Sequence, residues 1–402
     1  MHYALQDSKF KEHQNLMGIA TMIVVVMVIA TALTFDFTNG FHDTANAMAT
    51  SIATGALKPK TAVIAAGTLN LVGAFLSTEV AKTISGGIIN EQAVTIGAEF
   101  IFAGLVGAIL WNLITWLVGL PSSSSHALFG GLVGAVIVGA GVEGINFMAV
   151  ATKVLIPALI SPVVAGLASF TAVKLILAIV KKVDANRVET DFRHGQTITA
   201  CLVALSHGTN DAQKTMGIIT LTLISVGAQA SGTGPQLWVV AICGLAIALG
   251  TYMGGWRVIR TLGKGLTEIS TPQGFAAEAA SATTILVSSH MGFALSTTQV
   301  CSGSIIGSGL GKGTAVNWKV ASRMLIAWLI TFPCAGLIGA GACTIAKTGL
   351  AGTIAVGVLL IACALFIVYL SKRNPVSANN VNDSAEVKIV RNSAAEPATM
   401  AA

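Results

Sequence analysis

The chain has 402 residues, of which 54% are hydrophobic and only 10% are charged, and its formal net charge is +6. A soluble globular domain carries about 25% charged residues, so this composition excludes an ordinary soluble protein. The positive charge does not indicate nucleic-acid binding, because basic residues of so apolar a chain collect in cytoplasmic loops between membrane spans. The six cysteines have no paired spacing and are interpreted as small hydrophobic residues.

Apolar stretches recur along the whole chain. We predict an all-α polytopic membrane protein with about 10–12 transmembrane helices, including hairpins and broken helices, since roughly 20 apolar residues cross a bilayer. The first stretch is too long for the core of a cleavable signal peptide. The predicted spans are 17–37, 61–83, 100–120, 126–141, 154–180, 197–225, 237–251, 275–292, 300–310, 320–343 and 350–370.

Charged and polar segments divide the chain into units. The basic stretch at 181–195 predicts a cytoplasmic loop between two membrane units, and the Ala-, Asn- and Ser-rich end predicts a disordered tail. The predicted organisation is a polar N-terminal segment at 1–16, a first membrane repeat at 17–180, the central loop at 181–195, a second membrane repeat at 196–371 and the tail at 372–402.

Two unlike motifs occur twice and in the same order. NGFHDTANA at 39–47 aligns with HGTNDAQKT at 207–215, an offset of 168 (211 − 43). PSSSSHALFGG at 121–131 aligns with ALSTTQVCSGS at 294–304, an offset of 173 (296 − 123). The first unit contains an odd number of predicted spans, so the second is expected to be inverted relative to it. Inverted repeats place a transport site at their interface near the bilayer midplane.

The second motif is a hydroxyl-rich helix start. Hydroxyls there cap free backbone N–H groups, and the positive end of the helix dipole attracts anions. A single copy would be better explained as hydrogen bonding between helices. Because the element is duplicated, we predict that both copies surround a tetrahedral oxyanion. The predicted substrate-binding hydroxyls are Ser123, Ser124, Ser125, Ser296, Thr297 and Thr298.

The first motif places aspartates inside apolar segments. Intramembrane carboxylates are costly and are functional by default, although a buried structural ion pair is the alternative. We predict that Asp43 and Asp211, with Asn39 and Asn210, bind Na⁺ or take up protons, so that an anion binds beside neutralised carboxylates. Asn46 is predicted to contribute to the substrate site.

Further polar residues surround these motifs. Lys214 aligns with Asn46 and lies three residues after Asp211, so it either keeps that aspartate ionised or adds positive charge to the anion site. Both interpretations are open at this stage. Histidines here act either as proton relays or as hydrogen-bonded structural residues. The accessory candidates are His42, His126, Gln299, Asp36, which precedes Asp43 by two helical turns, and Glu278.

The four motif copies together make residues 17–371 resemble the inorganic phosphate transporter (PiT) family. His42, Lys214 and Gln299 depart from the typical family motifs and resemble the bacterial low-affinity Pit type. The resemblance implies an inverted-repeat fold and symport of inorganic phosphate. It also implies that both Asp motifs and both hydroxyl-rich elements form the site, and that the Pit type uses H⁺ and accepts phosphate with a divalent metal.

We therefore predict a proton-coupled phosphate symporter of a bacterial inner membrane, which is not an enzyme. Its expected partners are phosphate and the bilayer, with a homodimer as the assembly considered, and it needs no cofactor or resident metal. A Na⁺-coupled phosphate symporter is the first alternative. A passive anion channel would not need Asp43 and Asp211. An intramembrane hydrolase needs one nucleophile–base pair rather than two symmetric copies.

Overall fold

The computed structural model describes residues 2–90, 97–383 and 387, and their side chains from residue 18 onward. Within these ranges the chain is almost entirely helical, and β-pairing is limited to two isolated bridges, Ile89 with Ile145 and Thr267 with Val316. The predicted all-α class is therefore confirmed.

Five helices are long and apolar enough to cross a membrane, or six when the bent pair 237–253 and 256–265 counts as one span. The finer count of 10–12 spans stays a prediction. The α-helices are α1 His2–Ala53, α2 Pro59–Gly73, α3 Glu79–Gly87, α4 Ala98–Leu117, α5 Ser124–Ala140, α6 Phe147–Val150, α7 Ile156–Val180, α8 Ala185–Ser225, α9 Leu237–Met253, α10 Trp256–Arg260, α11 Thr271–His290, α12 Thr297–Lys312, α13 Trp318–Ala346 and α14 Leu350–Ser371.

The segment predicted as a central loop at 181–195 is mostly helical, because α8 begins at Ala185. The Asp184 side chain accepts hydrogen bonds from the backbone N–H groups of residues 186 and 187, which is a helix N-cap. Ion pairs at i,i+4 spacing, such as Arg187 with Asp191, then favour a helix over a solvated loop.

The outer predicted segments also differ in part from the structure. Residues 2–16 continue into α1 rather than forming a separate segment. Residues 372–383 form turns after α14, and residues 384–386 and 388–402 of the predicted tail lie outside the described residues.

The two hydroxyl-rich helices pack against long helices in the same way. α5 lies along α13, and α12 lies along α7. A Cβ atom at Gly134 would lie 2.0 Å from the carbonyl oxygen of Gly336, and one at Gly307 would lie 2.1 Å from that of Gly166. Glycine is needed at both positions because the backbones touch. This reciprocal packing is compatible with duplicated halves, and their inversion stays a prediction.

The helices that carry the Asp motifs also depend on close backbone contact. A Cβ at Gly40 of α1 would lie 2.3 Å from the carbonyl oxygen of Ile247 in α9, and one at Gly208 of α8 would lie 2.2 Å from that of Asn70 in α2. Gly40 and Gly208 therefore allow each half of the chain to pack closely against a helix of the other half. This arrangement brings the C-terminal half of α1 and the C-terminal half of α8 together in the interior.

Candidate functional site

The site lies where the C-terminal halves of α1 and α8 meet the first turns of α5 and α12. Every predicted substrate and coupling-ion residue is buried, with at most 5% of its surface exposed. Polar side chains so deep in an apolar protein are stable only when they are paired with one another or with a ligand. The hydrogen bonds among these side chains therefore show which of them are already paired within the protein and which are left for a ligand.

The Asp43 carboxylate contacts a histidine and two hydroxyls. His42 Nδ1 lies 2.6 Å from its Oδ1 atom, and Ser124 of α5 donates to Oδ2 at 2.9 Å. Thr298 of α12 donates to Oδ1 at 3.4 Å. Asp43 is thus contacted by hydroxyls from both halves of the chain.

The Asp211 carboxylate is surrounded by more positive charge. Lys214 Nζ donates to Oδ1 at 2.5 Å, and both side chains are fully buried. His207 Nε2 lies 3.0 Å from Oδ2. Thr297 and Asn39 donate to the same oxygen at 3.2 and 3.3 Å. Among the residues that the structure describes, Asp211 therefore has a lysine and a histidine as basic partners, whereas Asp43 has only a histidine.

Asparagine side chains connect the two halves. Asn39 belongs to the first motif but donates to Asp211 of the second. The Asn46 amide donates to both Thr297 and Thr298, at 3.2 and 3.1 Å. The structure thus brings together the predicted aspartates and hydroxyls, at least one hydroxyl from each helix start, in one hydrogen-bonded cluster.

Three of the six predicted hydroxyls have structural partners. Ser123 accepts from the backbone N–H of His126, and Ser296 accepts from that of Gln299, so both are helix N-caps. Ser125 donates to the carbonyl oxygen of Leu295 and so joins the two hydroxyl-rich elements. The hydroxyls that contact the aspartates are Ser124, Thr297 and Thr298.

Several buried oxygens of the cluster have no hydrogen-bond partner among the described residues: the amide oxygens of Asn39, Asn46 and Asn210. Amide and carboxylate oxygens are the ligands that hard cations prefer. One ligand atom from each of Asp43, His207 and Asp211 also lies within 4.8 Å of the other two, close enough to hold one metal ion. The cluster therefore offers donors for an anion and acceptors for a cation.

Two of the accessory candidates, Asp36 and Glu278, lie apart from this hydrogen-bonded cluster. Both Asp36 carboxylate oxygens are buried without a hydrogen-bond partner among the described residues. Glu278 is contacted by neutral donors elsewhere, accepting from Thr50, Gln196 and Thr199.

The Asn210 amide group donates to Ser289 and to the Phe293 carbonyl oxygen, so it braces the second helix start rather than an aspartate. His126 and Gln299 donate through their backbone N–H groups to the N-cap hydroxyls of α5 and α12, which belong to Ser123 and Ser296.

Four positioning residues were not predicted as site residues. The Asn70 amide oxygen accepts from His207 Nδ1 across 3.2 Å, and the Asn70 amide nitrogen donates to the Thr251 hydroxyl. Thr115 and Ser122 share a 2.7 Å hydrogen bond, and each lies 3.4 Å from His42 Nε2. They orient the two histidines that contact the aspartates. Asn70 and Thr115 are polar residues within apolar spans, and Ser122 belongs to the first hydroxyl-rich motif.

The chain is similar to known proteins of one family. Residues 39–339 match the phosphate transporter family. A probable low-affinity inorganic phosphate transporter of Mycobacterium leprae is 54% identical over 369 residues, covering 91% of this chain and 89% of that relative. One from Bacillus subtilis is 42% identical over 320 residues, covering 79% and 96%.

A solved structure titled "The sodium-dependent phosphate transporter" has a similar fold. Its TM-score is 0.73 at 24% sequence identity, over 81% of this chain and 99% of that one. The matched family consists of transporters and not of enzymes, so the hydrolase alternative is excluded. The chain belongs to the phosphate transporter family.

Proposed function

We propose that the protein imports inorganic phosphate across the bacterial inner membrane by symport with H⁺. The observation that carries the choice of ion is Lys214. It occupies the position of the second motif that aligns with Asn46, and its ammonium group contacts Asp211 at 2.5 Å. A cation that belongs to the protein thus neutralises one of the two central carboxylates, so that carboxylate does not need a mobile Na⁺.

The other carboxylate provides the coupling step. While Asp43 is ionised, it accepts the hydroxyl hydrogens of Ser124 and Thr298. When it is protonated, it loses its negative charge and those hydroxyls are free to donate to an oxyanion. Phosphate and the proton therefore favour each other's binding through shared hydroxyls, which is the linkage a symporter needs.

His42 connects Asp43 to two further hydroxyl groups. Its Nδ1 atom contacts the carboxylate at 2.6 Å, and its Nε2 atom faces Thr115 and Ser122. An imidazole can take a proton at one nitrogen and release one from the other. We infer that His42 passes the coupling proton to Asp43.

Na⁺ coupling is the second candidate function, and one observation favours it. The unpartnered amide oxygens of Asn39, Asn46 and Asn210 are suitable ligands for a hard cation. The same oxygens, with Asp43 and Asp211, would also accept the divalent metal of a metal–phosphate complex. In that case the metal is carried as part of the substrate.

Uptake of radiolabelled phosphate into proteoliposomes tests the proposal. A pH gradient is imposed without Na⁺, and then a Na⁺ gradient is imposed at equal pH. Accumulation driven by the pH gradient, and abolished by a protonophore, supports H⁺ symport. Accumulation with the Na⁺ gradient alone would contradict it and favour the second candidate. Omitting and restoring Mg²⁺ under the effective gradient determines whether the metal complex is the substrate.

A further inference from the structure

An apolar groove lies between α1, α4, α14 and the break that separates α9 from α10. Its volume is about 690 Å³, which is within the range of pockets that bind organic ligands, roughly 300–1,000 Å³. None of the described residues that line it is charged, and none of them contacts Asp43 or Asp211. The groove is therefore separate from the phosphate site.

The groove is about as deep as one leaflet of a bilayer. On α14 its lining extends from Gly357 to Ser371, 14 residues along the helix (371 − 357), which is about 21 Å at 1.5 Å per residue. One leaflet contributes about 15 Å to the hydrocarbon core. Ile361 and Val368 of this lining are exposed, so the groove opens on the outer surface of the helices, where lipid tails lie.

The Trp116 indole N–H is a polar group of the lining that is buried without a hydrogen-bond partner among the described residues. By contrast, the hydroxyls of Thr34, Thr38 and Ser371 donate to carbonyl oxygens of their own helices. A buried N–H without an acceptor indicates a place for a ligand that accepts a hydrogen bond. An ester carbonyl oxygen attached to a hydrocarbon chain would match both the donor and its apolar surroundings.

The end of the groove that includes Trp116 and Trp256 has the composition of a membrane interface. Arg257 follows Trp256 and donates to carbonyl oxygens at the ends of α4 and α14, so these helix ends meet there. Lys372 and Arg373 come directly after α14 and are exposed. Tryptophan is enriched at the level of the lipid headgroups, and basic residues mark the cytoplasmic side. An anionic headgroup is attracted to such residues.

We propose that the groove binds one acyl chain of an anionic phospholipid from the cytoplasmic leaflet. The chain lies along α14, its ester carbonyl oxygen accepts from the Trp116 N–H, and the headgroup lies beside Lys372 and Arg373. The charge-free lining and the open side fit a lipid tail. The unpartnered N–H and the two cations fit the polar end of the same molecule.

The groove shares a helix with the phosphate site. Phe37 and Phe41 of α1 line it, and His42 and Asp43 follow Phe41 directly. The chain bends by 60° between α9 and α10, and Gly254 at this bend also lines the groove. A lipid chain that fills the groove supports both elements, so we expect anionic lipid to raise the rate of uptake. This expectation rests on the proposed function, whereas lipid binding itself does not.

Native mass spectrometry of the full-length protein, purified from membranes that contain phosphatidylglycerol, tests the binding site. Ala364→Trp fills the groove, because Ala364 lines it. Ala362→Trp is the matched control, at an exposed position of the same helix outside the lining. We expect wild type and control to retain one phosphatidylglycerol after delipidation, and Ala364→Trp to lose it.

Trp116→Phe keeps the groove open and removes only the donor, so it should bind phosphatidylglycerol about fivefold more weakly, as the loss of one hydrogen bond predicts. Trp318→Phe, at an exposed position outside the lining, is its control and should bind as wild type does. This pair tests the site even if Ala364→Trp does not fold.

The headgroup is tested by a pair of charge variants. Lys372→Gln/Arg373→Gln should weaken binding of phosphatidylglycerol about tenfold and leave binding of phosphatidylcholine unchanged, because each cation near an anionic headgroup contributes to binding. Lys181→Gln/Lys182→Gln removes two exposed cations that follow another helix, α7, and should change neither.

Two results would overturn the proposal. One is equal retention of phosphatidylglycerol by Ala364→Trp and Ala362→Trp. The other is a wild-type dimer without bound lipid that Ala364→Trp converts to a monomer, which would assign the groove to a second copy of the chain.

The link to transport is measured by phosphate uptake into phosphatidylcholine vesicles. Added phosphatidylglycerol should raise the initial rate for wild type and Ala362→Trp but not for Ala364→Trp, and an equal response of all three would contradict the link. If none of them takes up phosphate, the proposed function fails, and the mass spectra still decide whether the groove binds lipid.

Discussion

The two Asp motifs have an aspartate at the same position but differ in the residues around it. In the first motif Asp43 has His42 beside it, and Asn39 lies four residues earlier. In the second motif these types are exchanged, with His207 four residues before Asp211 and Asn210 adjacent to it. Each motif keeps one histidine for its aspartate, but only Asp211 also has a lysine.

The duplicated site is asymmetric because the two aspartates have different partners. Both aspartates accept hydrogen bonds from hydroxyls at helix starts, Ser124 for one and Thr297 for the other. The position aligned with Lys214 in the first motif is Asn46, which donates to threonines instead of to an aspartate. In one half the carboxylate therefore has a lysine beside it, and in the other its partners are a histidine and hydroxyls.

The largest expected effect comes from removing either carboxylate charge. Asp43→Asn and Asp211→Asn should each reduce uphill phosphate uptake to the level of protein-free liposomes, because the coupling site or its partner is lost. Only Asp211→Asn should also lower the melting temperature markedly, since it leaves Lys214 buried and unpaired at a cost of about 3–5 kcal/mol.

Asp184→Asn is the control for both variants. Asp184 is an exposed N-cap, and asparagine caps helices about equally well. Passive phosphate flux that persists in Asp43→Asn without accumulation would identify a channel and contradict symport.

A smaller effect is expected when the second motif is made to resemble the first. Lys214→Asn removes the internal counter-ion of Asp211, so uptake driven by a pH gradient should fall by about tenfold, the effect of ~1.4 kcal/mol. Added Na⁺ should restore part of the lost rate by replacing the missing cation. The measurement is the initial rate with and without Na⁺, and Lys182→Asn, at an exposed position, is the control. A Na⁺-independent rate equal to wild type would show that Lys214 is not needed as a counter-ion.

The smallest effect concerns a feature that both halves share. Gly134→Ala and Gly307→Ala each place a methyl group against a backbone carbonyl, so each should destabilise the protein by about 1–3 kcal/mol. Melting temperatures should fall by similar amounts for both. Gly341→Ala in α13 meets no atom within 4 Å and should leave the melting temperature unchanged or raise it. A lower melting temperature for only one of the two variants would show that the two packing contacts are not equivalent.

The sequence was sufficient to predict the helical membrane fold and the cluster of duplicated residues. Apolar length and internal repetition determine both features directly. It was not sufficient to separate Ser124, which contacts Asp43, from Ser123, which caps its helix, because adjacent hydroxyls have the same chemistry and differ only in backbone geometry.

For Glu278, too, the residue type alone does not predict the role of the side chain. As a buried carboxylate in an apolar helix it resembles the two aspartates, yet its partners Thr50, Gln196 and Thr199 form a separate cluster. Asn70 was a weak signal in the sequence, and its role depends on α2 packing against α8, which places it beside His207. Such contacts between helices distant in the sequence are set by tertiary packing.

We propose that hydroxyls from both halves bind one phosphate beside the two aspartates. Equilibrium binding of radiolabelled phosphate to purified Ser124→Ala and Thr298→Val protein tests it most directly. Ser308→Ala is the control, because that buried hydroxyl only donates to the Ile305 carbonyl oxygen. We expect each site variant to bind phosphate about tenfold more weakly, as the loss of ~1–2 kcal/mol per hydrogen bond predicts, and the control to bind it as wild type does. Unchanged binding in both site variants, or weakening in only one half, would contradict a site shared by the two halves.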